Sequence, residues 1–364
     1  MTGCLYLTFL RLTMCPMIDI PSLLKIKYPI IQAPMAGGTT TPELVAAVSN
    51  AGALGSLGAG YMSANEIRRA IHSIRKLTHQ PFAVNLFIPE KYQATETQIY
   101  HMQHLIAKLC PELAMHIAAP TPPYAPDFDE QVQVILAENV PIFSFTFGVL
   151  SNDWISQFKK NGILLIGTAT HVEEGRVLDR NGIDVIVAQG SEAGGHRGTF
   201  IGKAEHSLIG VAELISQCVA CVKTPIVAAG GIMNAKHMTA MFDLGASGVQ
   251  MGSAFLTCPE SGIHPKFKEK ILAMQSDDTL LTRAFSGKLA RGIENKFIRR
   301  MQAHEKEILD YPIQNALTRT MRKAAEQQND LDFMSMWAGQ HAYLSKGLPV
   351  REFIDELVRC LSSK

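Results

Sequence analysis

Eight short apolar runs rich in β-branched residues, separated by stretches of helical pattern, narrow most sharply what this chain can fold into. They are Ile30–Ala33, Ala53–Leu57, Phe82–Leu86, Ile142–Phe145, Leu164–Gly167, Asp184–Ala188, Ile226–Ala229 and Gly248–Met251. Most of them start roughly twenty to thirty residues apart, about one strand plus the crossover helix that a parallel pair requires. Eight such units predict a (β/α)8 TIM barrel, and their span of about 230 residues matches the usual size of one. The runs are apolar on both alternations, as strands are when helices cover them outside and side chains fill the barrel inside. An open doubly wound sheet is the rival, but its dinucleotide fingerprint is missing. The first run ends in Pro34-Met-Ala-Gly-Gly38, and Gly55-Ser-Leu-Gly-Ala-Gly60 has the wrong glycine spacing.

Two connections are long. Pro89–Val140 contains the extended segment Pro120-Thr-Pro-Pro-Tyr-Ala-Pro126, which cannot continue a helix. The loop after the sixth run, Gly190-Ser-Glu-Ala-Gly-Gly-His-Arg-Gly198, is too rich in glycine for a helix and too long for a tight turn. From about Cys258 the strand signals stop, and helical patterns follow at Ile271–Met274, Phe297–Leu309, Ile313–Ala325 and Val350–Cys360. The expected division is a barrel over 18–257 and a helical, substrate-capping part over 258–364. Residues 1–17 lack a basic region and a small-residue cleavage site, and Met14 and Met17 precede the first interpretable pattern. They are read as an extension that a start assigned too early would explain.

Composition removes several function classes. With 34 Lys+Arg against 33 Asp+Glu, 47% apolar and 18% charged residues, the chain lacks the cationic excess of a nucleic-acid binder and the charge content of a disordered protein. No run of eighteen apolar residues marks a membrane span. The seven cysteines form no disulfide framework; Cys218 and Cys221 lie in an apolar helical stretch and read as packed core thiols. A reducing, cytoplasmic setting is expected, and no metal-ligand cluster stands at usable spacing.

In a barrel the active site lies at the carboxyl ends of the strands. There the chain places Met35, Asn85, Thr146, Gln189, the Gly194-Gly195-His196 segment, Gly230-Gly231 and Gln250-Met251-Gly252-Ser253. Glycine amides after strands seven and eight are where barrels commonly hold phosphate, with the Ser253 hydroxyl as a further donor, so a phosphorylated cofactor is expected. Asn85, Gln189 and Gln250 are amides able to donate and accept toward a heteroaromatic ring. His196, between Glu192 and Arg197 in a glycine-rich loop, is the catalytic candidate, because its unperturbed pKa suits proton transfer near neutrality. His72, His79, His101, His104 and His237 read as surface residues.

Taken in order, Ile31-Gln-Ala-Pro-Met-Ala-Gly37, Val48-Ser-Asn-Ala-Gly-Ala-Leu-Gly-Ser-Leu-Gly-Ala59, Asn85-Leu-Phe, Val187-Ala-Gln-Gly-Ser-Glu-Ala-Gly-Gly-His-Arg-Gly198, Ala228-Ala-Gly-Gly-Ile232 and Gly248-Val-Gln-Met-Gly-Ser-Ala-Phe-Leu256 resemble the nitronate monooxygenases. Phe285-Ser-Gly-Lys-Leu-Ala-Arg-Gly-Ile-Glu-Asn295, Tyr311-Pro-Ile-Gln314 and Trp337-Ala-Gly-Gln340 extend the likeness over about residues 18 to 355. The resemblance implies an FMN-dependent barrel with an added helical domain. It implies FMN contacts at Asn85, Gln189, Gly194, Gly231 and Gln250–Ser253, with His196 as the catalytic histidine. Thr146 stands where many members carry His, and Ser253 where Thr is more frequent.

The implied reaction is oxidation of an alkyl nitronate, such as propionate 3-nitronate, by O2 to a carbonyl compound and nitrite, without NAD(P)H. Thr146, Lys288 and Tyr311 are the substrate-side candidates, with positive potential from His196 and from Lys288 or Arg291. The expected partners are the small nitronate and O2, with no nucleic acid and no membrane; the assembly is left open, a homodimer included. Two rival readings remain: an NAD(P)H-dependent quinone or enoyl-thioester reductase on the same barrel, and a flavin-free barrel that binds a phosphorylated ligand.

Overall fold

The computed structural model describes residues 19–359; the expected extension at 1–17 lies outside them. Eight parallel strands form one sheet: Ile30–Gln32, Gly55–Gly58, Phe82–Phe87, Ile142–Thr146, Leu164–Ala169, Val185–Gln189, Ile226–Ala229 and Gly248–Met251. Each pairs with its neighbour in chain order. The last pairs back onto the first through Gln32↔Met251, and a parallel bridge at Ile31↔Leu54 closes the ring between the first and second. The TIM barrel expected from the eight runs is therefore the fold, with strand boundaries within about two residues of the reading.

Helices flank the strands for local reasons that can be named. Helix Ala64–Leu77 starts at a capping box, in which Ser63 caps the Glu66 amide and the Glu66 side chain returns to the Ser63 amide. It buries Ile67, Ala70, Ile71 and Ile74, spaced i, i+3, i+4, i+7, and ends with Arg75 and Lys76 in its last turn. The short helix Ile20–Leu24 is different: Ile20 and Leu24 pack with Ile31, Ile142, Ile166 and Val227 inside the barrel.

The cap is built from more than the C-terminal stretch. Helix Glu96–Leu109 and the 3-10 turn Pro111–His116, both in the long connection after the third strand, share a second core with Phe267, Phe285, Phe297, Leu317 and Phe333. Conversely, helix Val350–Arg359 buries Val350, Phe353, Ile354 and Leu357 in the barrel's own core. The two cores thus do not divide at residue 257.

Nor do strands stop at Cys258. Thr279–Thr282 and Ala290–Ile293 form an antiparallel pair, and Gly195–His196 of the sixth loop adds a third strand through Ala290↔His196 and Arg291↔Gly195. These strands have two to four residues each, too short for an alternation to show in sequence. The pattern read as one helix over Phe297–Leu309 breaks after Met301 into a 3-10 segment kinked at His304. Cys218 is a buried thiol as read, whereas Cys221 is exposed, with the Arg176 guanidinium 3.4 Å from its sulfur. Among the described residues no helix is long and apolar enough to cross a membrane.

Candidate active site

The strand ends open into a cavity of about 860 Å³ that the cap covers. Met35, Asn85, Thr146, Gln189, Gly194, Gly195, His196, Gly230, Gly231, Gln250, Gly252 and Ser253 all line it, so the reading of the strand ends placed them together. Met251, Lys288 and Tyr311 do not. Met251 sits one residue out of phase with Gln250 on a strand, so its side chain faces the outer core, 1% exposed. Lys288 turns to Glu90, 2.6 Å away, and its ammonium lies 4.3 Å from the centre of the Phe147 ring. Arg291 spends its guanidinium on Ser191 O and Thr279 Oγ1 and lies off the cavity as well.

The sixth loop is held by the two charges that flank its histidine. Arg197 is fully buried and donates to the carbonyls of Gly190, Gln189 and Ser207. Glu192 accepts the Val211 amide at 3.0 Å, at the first turn of helix Val211–Val219. Behind them the buried Glu174 accepts from the Thr170 amide and hydroxyl at 2.6 and 2.8 Å, from the Phe200 amide, and from Ile201 N at 2.9 Å. Gln189 is spent in the same way, donating to His196 O at 3.0 Å and accepting Gly198 N at 2.8 Å, so it fastens the loop. Asn85 donates to Ser144 Oγ at 2.9 Å, while Gln250 makes no side-chain hydrogen bond among the described residues.

His196 lines the cavity from inside an aromatic wall. Phe147, Tyr311 and Trp337 stand with ring centres 6.0, 6.4 and 5.4 Å from its own. Phe147 has φ +76°, a left-handed conformation that a bulky residue rarely adopts and that active sites often hold. Nε2 of His196 is 2.8 Å from Ser286 Oγ. The Ser286 hydroxyl donates to Lys288 O at 3.1 Å and accepts Lys288 N at 3.3 Å, so its remaining lone pair receives Nε2–H and the imidazole lone pair falls on Nδ1. Burial, then the charges of Lys288 and Arg322, pushes the His196 pKa down to about 3. At neutral pH the imidazole is therefore uncharged.

The cap reaches the cavity through Trp337-Ala-Gly-Gln340. Gly339 N donates to Ser253 Oγ at 2.8 Å and Gln340 N to Glu192 O at 3.1 Å, so this segment threads between the sixth and eighth loops. Gly194 makes the passage possible, since a Cβ there would lie 2.5 Å from the Ala338 carbonyl carbon. His341 follows, with Nδ1 2.7 Å from Gly231 O. His237, read as a surface residue, is half-buried and brings its Nδ1 to 3.1 Å from the same oxygen. Sequence reasoning passed over Tyr61, His341 and the cationic face of helix Ile313–Gln327, all at the cavity. Only the last left a signal: Arg319, Arg322 and Lys323 repeat at helical spacing, a pattern that a solvated face shares.

Comparison with known proteins finds relatives over nearly the whole chain. The family model described as nitronate monooxygenase matches residues 19–359. A probable nitronate monooxygenase of Staphylococcus aureus (strain Newman) is 43% identical over 342 residues, covering 93% of this chain and 96% of the relative. Among solved structures, nitroalkane oxidase from Streptomyces ansochromogenes superposes with a TM-score of 0.87 at 36% identity, covering 95% of this chain and 98% of that one. FabK from Thermotoga maritima gives 0.75 at 31% identity, covering 94% and 96%.

Proposed function

The chain belongs to the nitronate monooxygenase family, and on that premise we propose that it is an FMN-dependent enzyme oxidising alkyl nitronates, propionate 3-nitronate among them. O2 is the co-substrate, and the products are a carbonyl compound and nitrite. The observation that carries this reading is the place of His196 at the cavity, its ring walled by Phe147, Tyr311 and Trp337 beside the bare backbone of Gly194-Gly195.

The residues at the strand ends fit FMN. A Cβ on Gly195 would meet no atom within 4 Å, and one on Gly252 would meet its nearest at 3.5 Å, so a ligand can approach both backbones closely. Gly230, Gly231, Gly252 and Ser253 would hold the phosphate, with the Ser253 hydroxyl proton available once its oxygen has accepted Gly339 N. Met35, Asn85 through Oδ1, and the unspent amide of Gln250 would face the ring system. When bound, FMN supplies the electron acceptor that a nitronate needs and that no side chain offers.

A nitronate arrives already deprotonated, so here His196 positions and excludes water together with the aromatic wall. With a neutral nitroalkane, Nδ1 of His196 takes the α-proton, and Ser286 holds the ring in the tautomer that allows it. Thr146, beside Thr168 at 3.4 Å, offers a hydroxyl to the nitro oxygens.

The test is anaerobic mixing of the flavin-loaded protein with propionate 3-nitronate in one cuvette and NADPH or NADH in another. Bleaching of the flavin by the nitronate supports the reading. Bleaching by the pyridine nucleotide alone would move the chain to the reductase reading, which its similarity to FabK keeps in view.

A further inference from the structure

Cys221 is the one exposed cysteine among the described residues. Cys110, Cys218 and Cys258 are buried, and burial pushes their pKa values up to about 11, about 12 and about 12, so they stay thiols. Cys221 follows Cys218 by three residues, just past the end of helix Val211–Val219. Its amide donates to the Cys218 carbonyl at 2.9 Å, so the two cysteines are the first and last residues of one hydrogen-bonded turn. Such a turn keeps its end Cα atoms within about 7 Å, the range a disulfide spans, and brings the side chains at i and i+3 onto one side.

Both sulfurs face the same turn of the neighbouring helix Val172–Arg180. A Cβ on Gly175 would lie 3.6 Å from Sγ of Cys218, and Nη2 of Arg176 is 3.4 Å from Sγ of Cys221. Asp179 fastens the chain beyond the turn to that helix: its Oδ1 accepts Lys223 N at 3.2 Å, Thr224 N at 3.0 Å and Thr224 Oγ1 at 2.7 Å. The sulfurs lie within each other's field, since Cys221 adds to the rise that burial causes at Cys218. Access divides their roles. Arg176 spends Nη1 on Glu173 at 2.6 Å and presents Nη2 to Cys221, where the charge of a reacting thiolate forms.

We propose that Cys221 and Cys218 are a peroxide-responsive dithiol, in which Cys221 takes the oxidant beside the Arg176 guanidinium and Cys218 resolves it as an intramolecular disulfide. The oxidant is hydrogen peroxide or an alkyl hydroperoxide. The Cys221 thiolate attacks a peroxide oxygen and the O–O bond breaks, leaving a Cys221 sulfenic acid and water or an alcohol. Cys218 then attacks the sulfenic sulfur, the S–O bond breaks, and the Cys218 proton leaves with the hydroxide as water. The two thiols give up two electrons and two protons, which the peroxide takes, and a dithiol reductant reverses the change. Neither sulfur lines the cavity, and the inference does not depend on the nitronate reading.

The test treats the reduced, FMN-loaded protein with hydrogen peroxide, unfolds it in urea with iodoacetamide and digests it with trypsin. The peptide Ala204–Lys223 holds both cysteines and no other. In wild type it is expected two hydrogen atoms lighter and unalkylated, and to return with both cysteines alkylated when dithiothreitol precedes the iodoacetamide. R176M is expected to form the disulfide severalfold more slowly, and C218S to leave a Cys221 sulfenic acid that dimedone traps and that goes on to sulfinic acid. Wild-type peptide with both cysteines alkylated, at a dose that has turned methionines of the same digest into sulfoxides, would overturn the proposal. So would sulfinic acid on Cys221 beside an alkylated Cys218, or a disulfide from Cys221 to any other cysteine. A rate in R176M equal to wild type removes Arg176 from the assignment. If C218S does not fold, C221S decides the order: Cys218 is expected to remain alkylatable there, and its oxidation at the same dose overturns Cys221 as the residue attacked first.

Discussion

Nε2 of His196 and Oγ of Ser286 stand 2.8 Å apart, joining the sixth barrel loop to a turn of the cap ninety residues later. Barrel and cap therefore share the group that sets which ring nitrogen holds a lone pair. A serine with a different set of backbone partners would leave the tautomer undetermined.

Ser286→Ala removes that acceptor. Turnover of a neutral nitroalkane, which needs the base, should fall about 10- to 100-fold, while oxidation of a preformed nitronate falls much less. The ratio of the two rates in one preparation measures the effect; equal losses would show that Ser286 acts on something other than His196.

His196→Asn keeps a polar side chain of similar reach and removes the base. It should retain FMN, read from the visible spectrum after gel filtration, and lose about 10²- to 10⁴-fold in nitroalkane turnover. Unchanged kinetics would take His196 out of the mechanism.

The depressed pKa of His196 has two consequences with a definite sign. Its value falls from 6.5 in the unfolded chain to about 3 in the fold, so the base form persists through the mildly acidic range. Nitroalkane kcat/KM should show no acid limb near pH 6.5 from this group; a limb there would contradict the burial. Below pH 6.5 the unfolded chain binds a proton that the folded one refuses, so stability is intact above that pH and declines as pH falls toward 3. Urea midpoints at about pH 7, 5.5 and 4.5 should show a shallower decline in His196→Asn than in wild type.

Glu174→Ala should cost about 3–5 kcal/mol in urea unfolding, since it strips two loop amides and a hydroxyl–amide pair of their common buried acceptor. Gly194→Ala should push the 337–340 segment off the sixth loop, because the added methyl would meet backbone and not a side chain that can turn aside. Quenching of Trp337 fluorescence by iodide should rise in that variant; unchanged quenching would mean that the segment tolerates the methyl.

The barrel was legible because each strand is a local run of residues, and a local period carries its own address in the sequence. The cavity wall at the strand ends followed from that, down to Gln250 and Gly252. What escaped was set by pairing across long separations. Thr279–Thr282 and Ala290–Ile293 are strands because they find each other and Gly195–His196. The direction of a side chain escaped for the same reason: Lys288 reads as a substrate-side cation until Glu90, nearly two hundred residues earlier, is seen to hold it. Arg322 was hidden by resemblance to an ordinary solvated helix face, and only its unpartnered Nε sets it apart.

The return of helix Val350–Arg359 to the barrel flank has a mechanical meaning. The cap is entered from the barrel after the eighth strand and left again into the barrel's outer layer, and the segment 96–116 enters and leaves it as well. A body tethered at four crossings has no free hinge axis. Access to the chamber is then a matter for short segments of its wall, residues 123–126 among them, and not for the swing of a whole domain.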